Sequence, residues 1–209
     1  MAKMIDKKPS WKGEGKVWES LSTNLPGDNV VYNQREVNGR EYDFCVLAEN
    51  LGLVIIEVKG WDSDKIDVRG VDNIIVEGYD EPQTSPKKQA RAYRFAILNK
   101  IVEKYNVSPL VLDMVCYPFI TQEQYIKTKL DIVSEPEYTI FKEDIEDGEK
   151  LNEKIQHLFT RNKFIPHADF SSDLLVRIRK QLEPEFELSV VDDQNKPCLL
   201  YTSDAADDK

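Results

Sequence analysis

The chain has 209 residues, 41% hydrophobic and 32% charged, with 28 Lys and Arg against 38 Asp and Glu for a net charge of −10. That length suits one α/β domain, or one with a small extension, and the apolar share is enough for a real core. The acidic balance excludes a protein that coats nucleic acid through bulk charge, while leaving room for a local basic groove. No run of about eighteen apolar residues is present to cross a membrane. The opening MAKMIDKKPSWKGEG lacks the apolar segment of a signal peptide. Cys45, Cys116 and Cys198 are scattered, with neither metal spacing nor a disulfide frame, which fits a reducing cytoplasm.

In chain order, residues 11–22 (WKGEGKVWESLS) place Trp11, Val17, Trp18 and Leu21 at the spacing of a short amphipathic helix. LPGDN reads as a turn. Three β-type runs follow, VVYNQREV, EYDFCVLAE and LGLVIIEVK, the first two joined by Asn38-Gly39, the strongest short hairpin signal. KIDV and NIIVEGY are two weaker strands. Ser85-Pro86 opens a long helical pattern to about Tyr105, with Pro in its first turn. PLVLDMVCY is a continuous apolar run of central-strand type. Helical segments are expected near 121–130, 147–162 and 172–183. This order predicts an α/β sandwich around a mixed central sheet flanked by helices. The segment FELSVVDDQNKP reads as a linker. The last residues, 198–209, break from the pattern before them and resemble a translated adapter scar, so they are set aside as a non-native tail. The natural chain is expected to continue past residue 197.

The strand LGLVIIEVKGW carries its own question. Alternation puts Leu53, Ile55, Glu57, Lys59 and Trp61 on one face. Burying an ionised Glu and a Lys there costs several kcal/mol per ion, on the order expected for desolvated charges, unless they are paired or metal-bound. A three-residue loop, Glu49-Asn50-Leu51, would pair Ala48 with Gly52 and hence Asp43 with Glu57; a two-residue loop would put Asp43 on the opposite face. Asn50 or Gly52 can supply the left-handed residue that a three-residue loop wants. Asp43, Glu57 and Lys59 can therefore converge. Two such carboxylates, with the carbonyl of Val58 as a further ligand, make a hard oxygen site for Mg²⁺ or Mn²⁺. Such an ion polarises a phosphoryl oxygen and acidifies water, while Lys59 orients that water or steadies developing charge. The plainer alternative is a solvated Glu–Lys pair at a strand end.

Asp43 followed by Glu57-Val58-Lys59 on an apolar strand resembles the PD-(D/E)XK nuclease superfamily. GEGKVWESL and NGREYDFCVLAENLGLVIIEVKGW together resemble its NERD, or nuclease-related, domain, over about residues 11–130 and most strongly over 39–61. Tyr42 stands where the superfamily's name has proline. The resemblance implies a restriction-endonuclease-like sandwich and a metal-dependent deoxyribonuclease. It adds Glu14, on the first helix, to the metal set of Asp43, Glu57 and Val58; the competing reading is a first-turn acid favoured by the helix dipole. It also matches Gln89 and Tyr93 to a Q-x-x-x-Y element, with Gln89 joining Asp43, Glu57 and Lys59 in the catalytic set. Residues four apart share a helical face, so both are expected to point toward the site or the DNA, with Tyr93 among the DNA-binding residues, though a polar helix edge would look the same.

On that helix Lys87, Arg91 and Arg94, with Lys88 beside them, form a basic stripe suited to positioning a DNA backbone without reading sequence. A solvated helix face is the bland alternative. Trp61 either stacks on a base or caps the sheet. His157 and His167 lie far from the cluster, so a histidine zinc site is not expected, and no P-loop or G-x-S-x-G elbow occurs. Residues 1–135 are expected to form the nuclease core. Residues 136–190 would be its helical extension or a linker toward a missing superfamily 1 helicase, with which such domains are often fused. The rival function is a nuclease-like module that docks DNA or a partner without cutting, and RNA remains an open substrate.

Overall fold

Asn38 and Gly39 turn the chain back with φ of +52° and +74°, the pair of positive angles that lets a two-residue turn match strand twist. In the computed structural model, which describes residues 1–183, this turn is one link in a mixed sheet. The elements are β1 (Lys3–Met4), α1 (Lys12–Asn24), β2 (Val30–Val37), β3 (Arg40–Ala48), β4 (Gly52–Val58), β5 (Ile66–Gly70) and β6 (Asn73–Val76). They continue with α2 (Pro86–Tyr105), β7 (Val111–Cys116), α3 (Gln122–Lys127), β8 (Thr139–Ile140), α4 (Lys142–Glu146), α5 (Gly148–Asn162) and α6 (Ser172–Leu182). The linker segment and the tail assigned to 198–209 lie outside the described residues, as does Cys198.

The main sheet runs β1-β2-β3-β4-β7-β8, and β5 pairs with β6 in a separate hairpin. β2, β3 and β4 are antiparallel neighbours, whereas β7 joins β4 in parallel. Parallel neighbours need a long crossover, and the chain between Val58 and Val111 supplies it through the small hairpin and α2. β1, β8 and α4 are absent from the sequence expectations. Two-residue strands and a five-residue helix are too short to carry a readable period.

Val17 and Leu21 of α1 bury with Phe44, Val46, Val54, Ile56, Met114, Leu151, Ile155 and Leu158 in one cluster. That cluster takes one face of the sheet and is roofed by α1, α4 and α5. The alternate strand positions, including Ile55, Glu57 and Asp113, point the other way, where α2 packs across β4 and β7. α2 begins as its sequence dictates: the Ser85 hydroxyl accepts from the Lys88 amide at 3.3 Å, and Pro86 occupies the first turn. Helices on both faces of a mixed sheet give the restriction-endonuclease-like α/β sandwich. Residues 1–172 form one compact unit that contains the whole sheet, and a second begins at Asp173. The described part of the second is nearly all α6, an amphipathic helix.

Candidate active site

The loop after β3 has three residues. Ala48 pairs with Gly52 and the ladder runs to Phe44 with Ile56, so the next step sets Asp43 against Glu57. Asn50 supplies the left-handed residue at φ +63°. Where the ladder ends, a side chain takes over: Asp43 Oδ2 accepts from the Val58 amide at 2.6 Å. Lys59 Nζ lies 2.7 Å from Glu57 Oε1, and the Lys59 amide donates to the Cys116 carbonyl at 2.9 Å, holding this strand end against β7. Glu57 is only 5% exposed.

Such crowding shows in proton affinity. Burial raises Asp43, and the charge of Glu57 raises it further; the Val58 amide and Lys59 oppose both. Burial likewise raises Glu57, against the pull of Lys59. Glu14 is pushed up to about 7 by burial and then by Asp43, while its hydrogen bond with Gln34 works the other way.

Glu14 reaches the site because two glycines meet. A Cβ on Gly13 would stand 3.2 Å from Gly60 Cα and 3.3 Å from Pro118 Cγ, so the first turn of α1 presses backbone to backbone on the segment after Lys59. Gln34, which the sequence reading passed over, completes the group. Pairs on either side, Asn33 with Phe44 and Arg35 with Tyr42, set it opposite Asp43. Its φ is +51°, and its Nε2 donates to Glu14 Oε2 at 3.0 Å. A non-glycine residue in that conformation is strained and held by its surroundings. The signal was available: a two-residue turn at Asn38-Gly39 fixes which residue faces Asp43.

The structure divides the basic stripe of α2 and corrects the expectation that it forms one outward face. Lys87 is 6% exposed and its Nζ sits 2.8 Å from Asp113 Oδ2. Arg94 Nη1 is 3.1 Å from Asp113 Oδ1. Asp113 sits on the α2 face of β7, so a buried carboxylate draws both cations onto the sheet, and they anchor the helix. Lys88 is exposed and paired with Asp72. Arg91 is exposed and forms no ion pair among the described residues. Tyr93 is half-buried, with its phenol raised by burial and then by the charges of Glu57 and Asp43, which puts it on the site's side of α2. Gln89 donates to Thr84 Oγ1 at 3.1 Å, and its buried Oε1 has no partner. Trp61 is buried with its ring centroid 6.0 Å from that of Tyr117, so it caps the core.

An open cleft of about 530 Å³ is lined by Glu14, Asp43, Val58 and Lys59 of the group, but not by the buried Glu57. Trp11, Lys12 and Phe119 also line it. Among the described residues no three His, Cys, Asp or Glu side chains gather into a finished metal cage. The oxygens are of the right kind for a hard divalent cation, and carboxylates whose anionic forms are disfavoured by burial and mutual repulsion gain from a positive charge. By chemical type the donors suit such an ion, although Glu14, Asp43 and Glu57 do not close into a three-carboxylate cage.

The nuclease-related domain family, NERD, matches residues 9–118, more than half of the chain. The chain belongs to that family. Its matched region runs from just before α1 to just after β7 and so contains every residue of the group described above. NERD domains fall in the PD-(D/E)XK-like nuclease group, whose members typically use divalent metals. No curated protein and no solved structure matches the chain. No helix among the described residues is long and apolar enough to cross a membrane.

Proposed function

We propose that this NERD domain is a cytoplasmic Mg²⁺- or Mn²⁺-dependent deoxyribonuclease that hydrolyses phosphodiester bonds. The observation that carries the reading is the meeting of Asp43, Glu57 and Lys59 at the end of one antiparallel pair, with the Lys59–Glu57 contact at 2.7 Å. Asp43 and Glu57, the Val58 carbonyl and Glu14 would hold the cation. When bound it supplies Lewis acidity toward a phosphoryl oxygen and toward water.

The chain's own groups do the rest. Lys59, held by Glu57, orients the attacking water and offers its ammonium to the charge that develops on the phosphoryl oxygens. Water oxygen bonds to phosphorus and gives up a proton to solvent, the ester P–O bond breaks, and the leaving oxygen takes a proton from solvent. Gln89 belongs to the same set, with the unpartnered Oε1 and an amide that can turn from Thr84 to substrate. Lys88, Arg91 and Tyr93 position the backbone along the exposed side of α2, while Lys87 and Arg94 fix the helix through Asp113. Residues beyond the core would connect this domain to a superfamily 1 helicase, fused or separate.

A second reading has its own support. Asp43, Glu57 and Glu14 already accept from Val58, Lys59 and Gln34, as they would in a module that binds DNA or a partner without cutting. Incubation with linear, nicked and single-stranded DNA plus Mg²⁺ or Mn²⁺ separates the two. A nuclease loses activity by roughly 10²–10⁴ in Glu57→Ala and Lys59→Ala. Equal DNA loss in wild type and both variants marks contamination, and no loss in any of them with tight binding retained establishes the binding module.

A further inference from the structure

The site cleft does not end at the carboxylates. Trp11, Lys12 and Phe119, which line it, also wall a second groove of about 410 Å³ that Lys8 and Lys16 line. The two depressions thus meet at three shared side chains. In a chain of net charge −10, this second groove brings three lysines together. Lys12 and Lys16, one turn apart on α1, place their ammonium groups 5.4 Å and 5.8 Å from the centroid of the Phe119 ring. Lys12 forms no ion pair among the described residues. Lys8 pairs with Glu19, and Lys16 with Glu146 at 2.9 Å; exposed pairs of this kind are weak and screened by salt, so phosphate can displace them. Trp11 is 71% exposed at the head of α1, where an indole costs solvation unless something covers it.

We propose that this groove takes the unpaired strand of a DNA substrate, so that the domain acts on single-stranded or frayed DNA. Bases stack on Trp11 while phosphates follow Lys8, Lys12 and Lys16, two of them gathered over the Phe119 ring, into the cleft. This rests on the nuclease reading and specifies its substrate. An exposed aromatic platform beside a short line of cations suits bases whose π-faces are free. A continuous duplex keeps those faces stacked inside and presents only backbone and groove edges. The path also explains what the basic stripe of α2 lacks, since two of its four residues, Lys87 and Arg94, are committed to Asp113.

The test is fluorescence anisotropy of the full chain with labelled oligothymidylate and with a blunt hairpin duplex, in chelator so that nothing is cut. Variants are Trp11→Ala, Trp11→Phe, Lys12→Gln and, as a charge control outside the groove, Lys163→Gln. Circular dichroism confirms that each is folded. Single strand is expected to bind more tightly than duplex. Trp11→Ala weakens it by about five- to one-hundred-fold, the range of one lost base stack, and Trp11→Phe keeps most of the affinity. Lys12→Gln lowers the slope of log affinity against log salt by about 0.7, the single-strand value per phosphate contact, and Lys163→Gln leaves it unchanged. The proposal is overturned if Trp11→Ala and Lys12→Gln bind oligothymidylate like wild type, if duplex binds as tightly as single strand, or if oligouridylate binds more tightly than oligothymidylate. Cleavage assays keep the two readings apart. The expected binding pattern with no cutting in Mg²⁺ or Mn²⁺ removes the nuclease and leaves the groove, whereas cutting with an unchanged KM in Trp11→Ala removes the groove and leaves the nuclease.

Discussion

Gln34 donates from Nε2 to Glu14 Oε2 across 3.0 Å, from a strand position twisted to φ +51° opposite Asp43. The bond joins β2 to the first turn of α1 and holds one acid of the candidate site in place. Glycine adopts this φ without cost, so Gln34→Gly relieves backbone strain of roughly 1 kcal/mol and frees Glu14. The expected outcome is a Tm equal to or above wild type together with weaker Mn²⁺ affinity by calorimetry. A variant that melts lower and binds the ion as wild type does would show that Gln34 serves stability alone.

The raised carboxylates fix a pH dependence. Glu14, Asp43 and Glu57 all bind protons more readily folded than unfolded. Between the ordinary carboxylate range and about 7, the value for Glu14, the folded chain therefore carries the extra protons, and stability declines as pH rises through that window. Thermal melting should show Tm falling from about pH 5 to about pH 8, less steeply in Glu14→Gln. Mn²⁺ should raise Tm more at the higher pH, where it competes with fewer protons. A Tm shift by Mn²⁺ that is larger at the lower pH would contradict the assignment.

Asp113 and its two cations predict a large effect at the buried anchor and a small one on the exposed side of α2. Asp113→Ala strands Lys87 and Arg94 on the sheet without a counter-charge and should destabilise by about 3–5 kcal/mol in urea unfolding. Arg91→Ala, on the exposed side of the same helix, should fall within about 0.5 kcal/mol of wild type. Equal effects would mean that the anchor is not where the distances put it.

Gly52 is the most constrained glycine of the site hairpin. It sits at φ +144°, and a Cβ there would meet the Leu110 carbonyl oxygen at 2.2 Å. Backbone cannot give way as a flexible side chain can, so Gly52→Ala should cost at least about 3 kcal/mol from strain and overlap combined. Asn50→Gly, two residues earlier in the loop, should be nearly neutral, because Asn already tolerates the left-handed region.

Where chain pattern and local chemistry spoke together, the sequence was sufficient. Asn38-Gly39, the alternation of LGLVIIEVK and the Ser85-Pro86 helix start each map onto the structure within a residue or two. So does the three-residue loop, whose register brings Asp43 to Glu57. Spacing alone could not tell which basic residues of α2 face outward. Lys87 and Arg94 look like surface groups until Asp113, nineteen positions after Arg94, is set beneath them on the α2 face of the sheet. Trp11 is expected on the apolar side of the first helix with Val17, Trp18 and Leu21, but it precedes α1 and stands 71% exposed, because helical spacing does not tell which end of a helix the core reaches. Gln34 was within reach of turn arithmetic, yet its φ belongs to tertiary packing and leaves no trace in residue type.

β4 takes one neighbour from the strand just before it and the other from β7, more than fifty residues on. The Leu53 amide donates to the Leu110 carbonyl at 2.9 Å, at the spot that admits only glycine next door. A chain emerging from the ribosome can close the local hairpin at once, but the floor beneath Glu57 has to wait for that distant segment to arrive. A fragment that stops short of residue 111 would leave the acidic pair on an open edge. The order of synthesis thus keeps the candidate site of this domain unassembled until the strand that steadies it has been made.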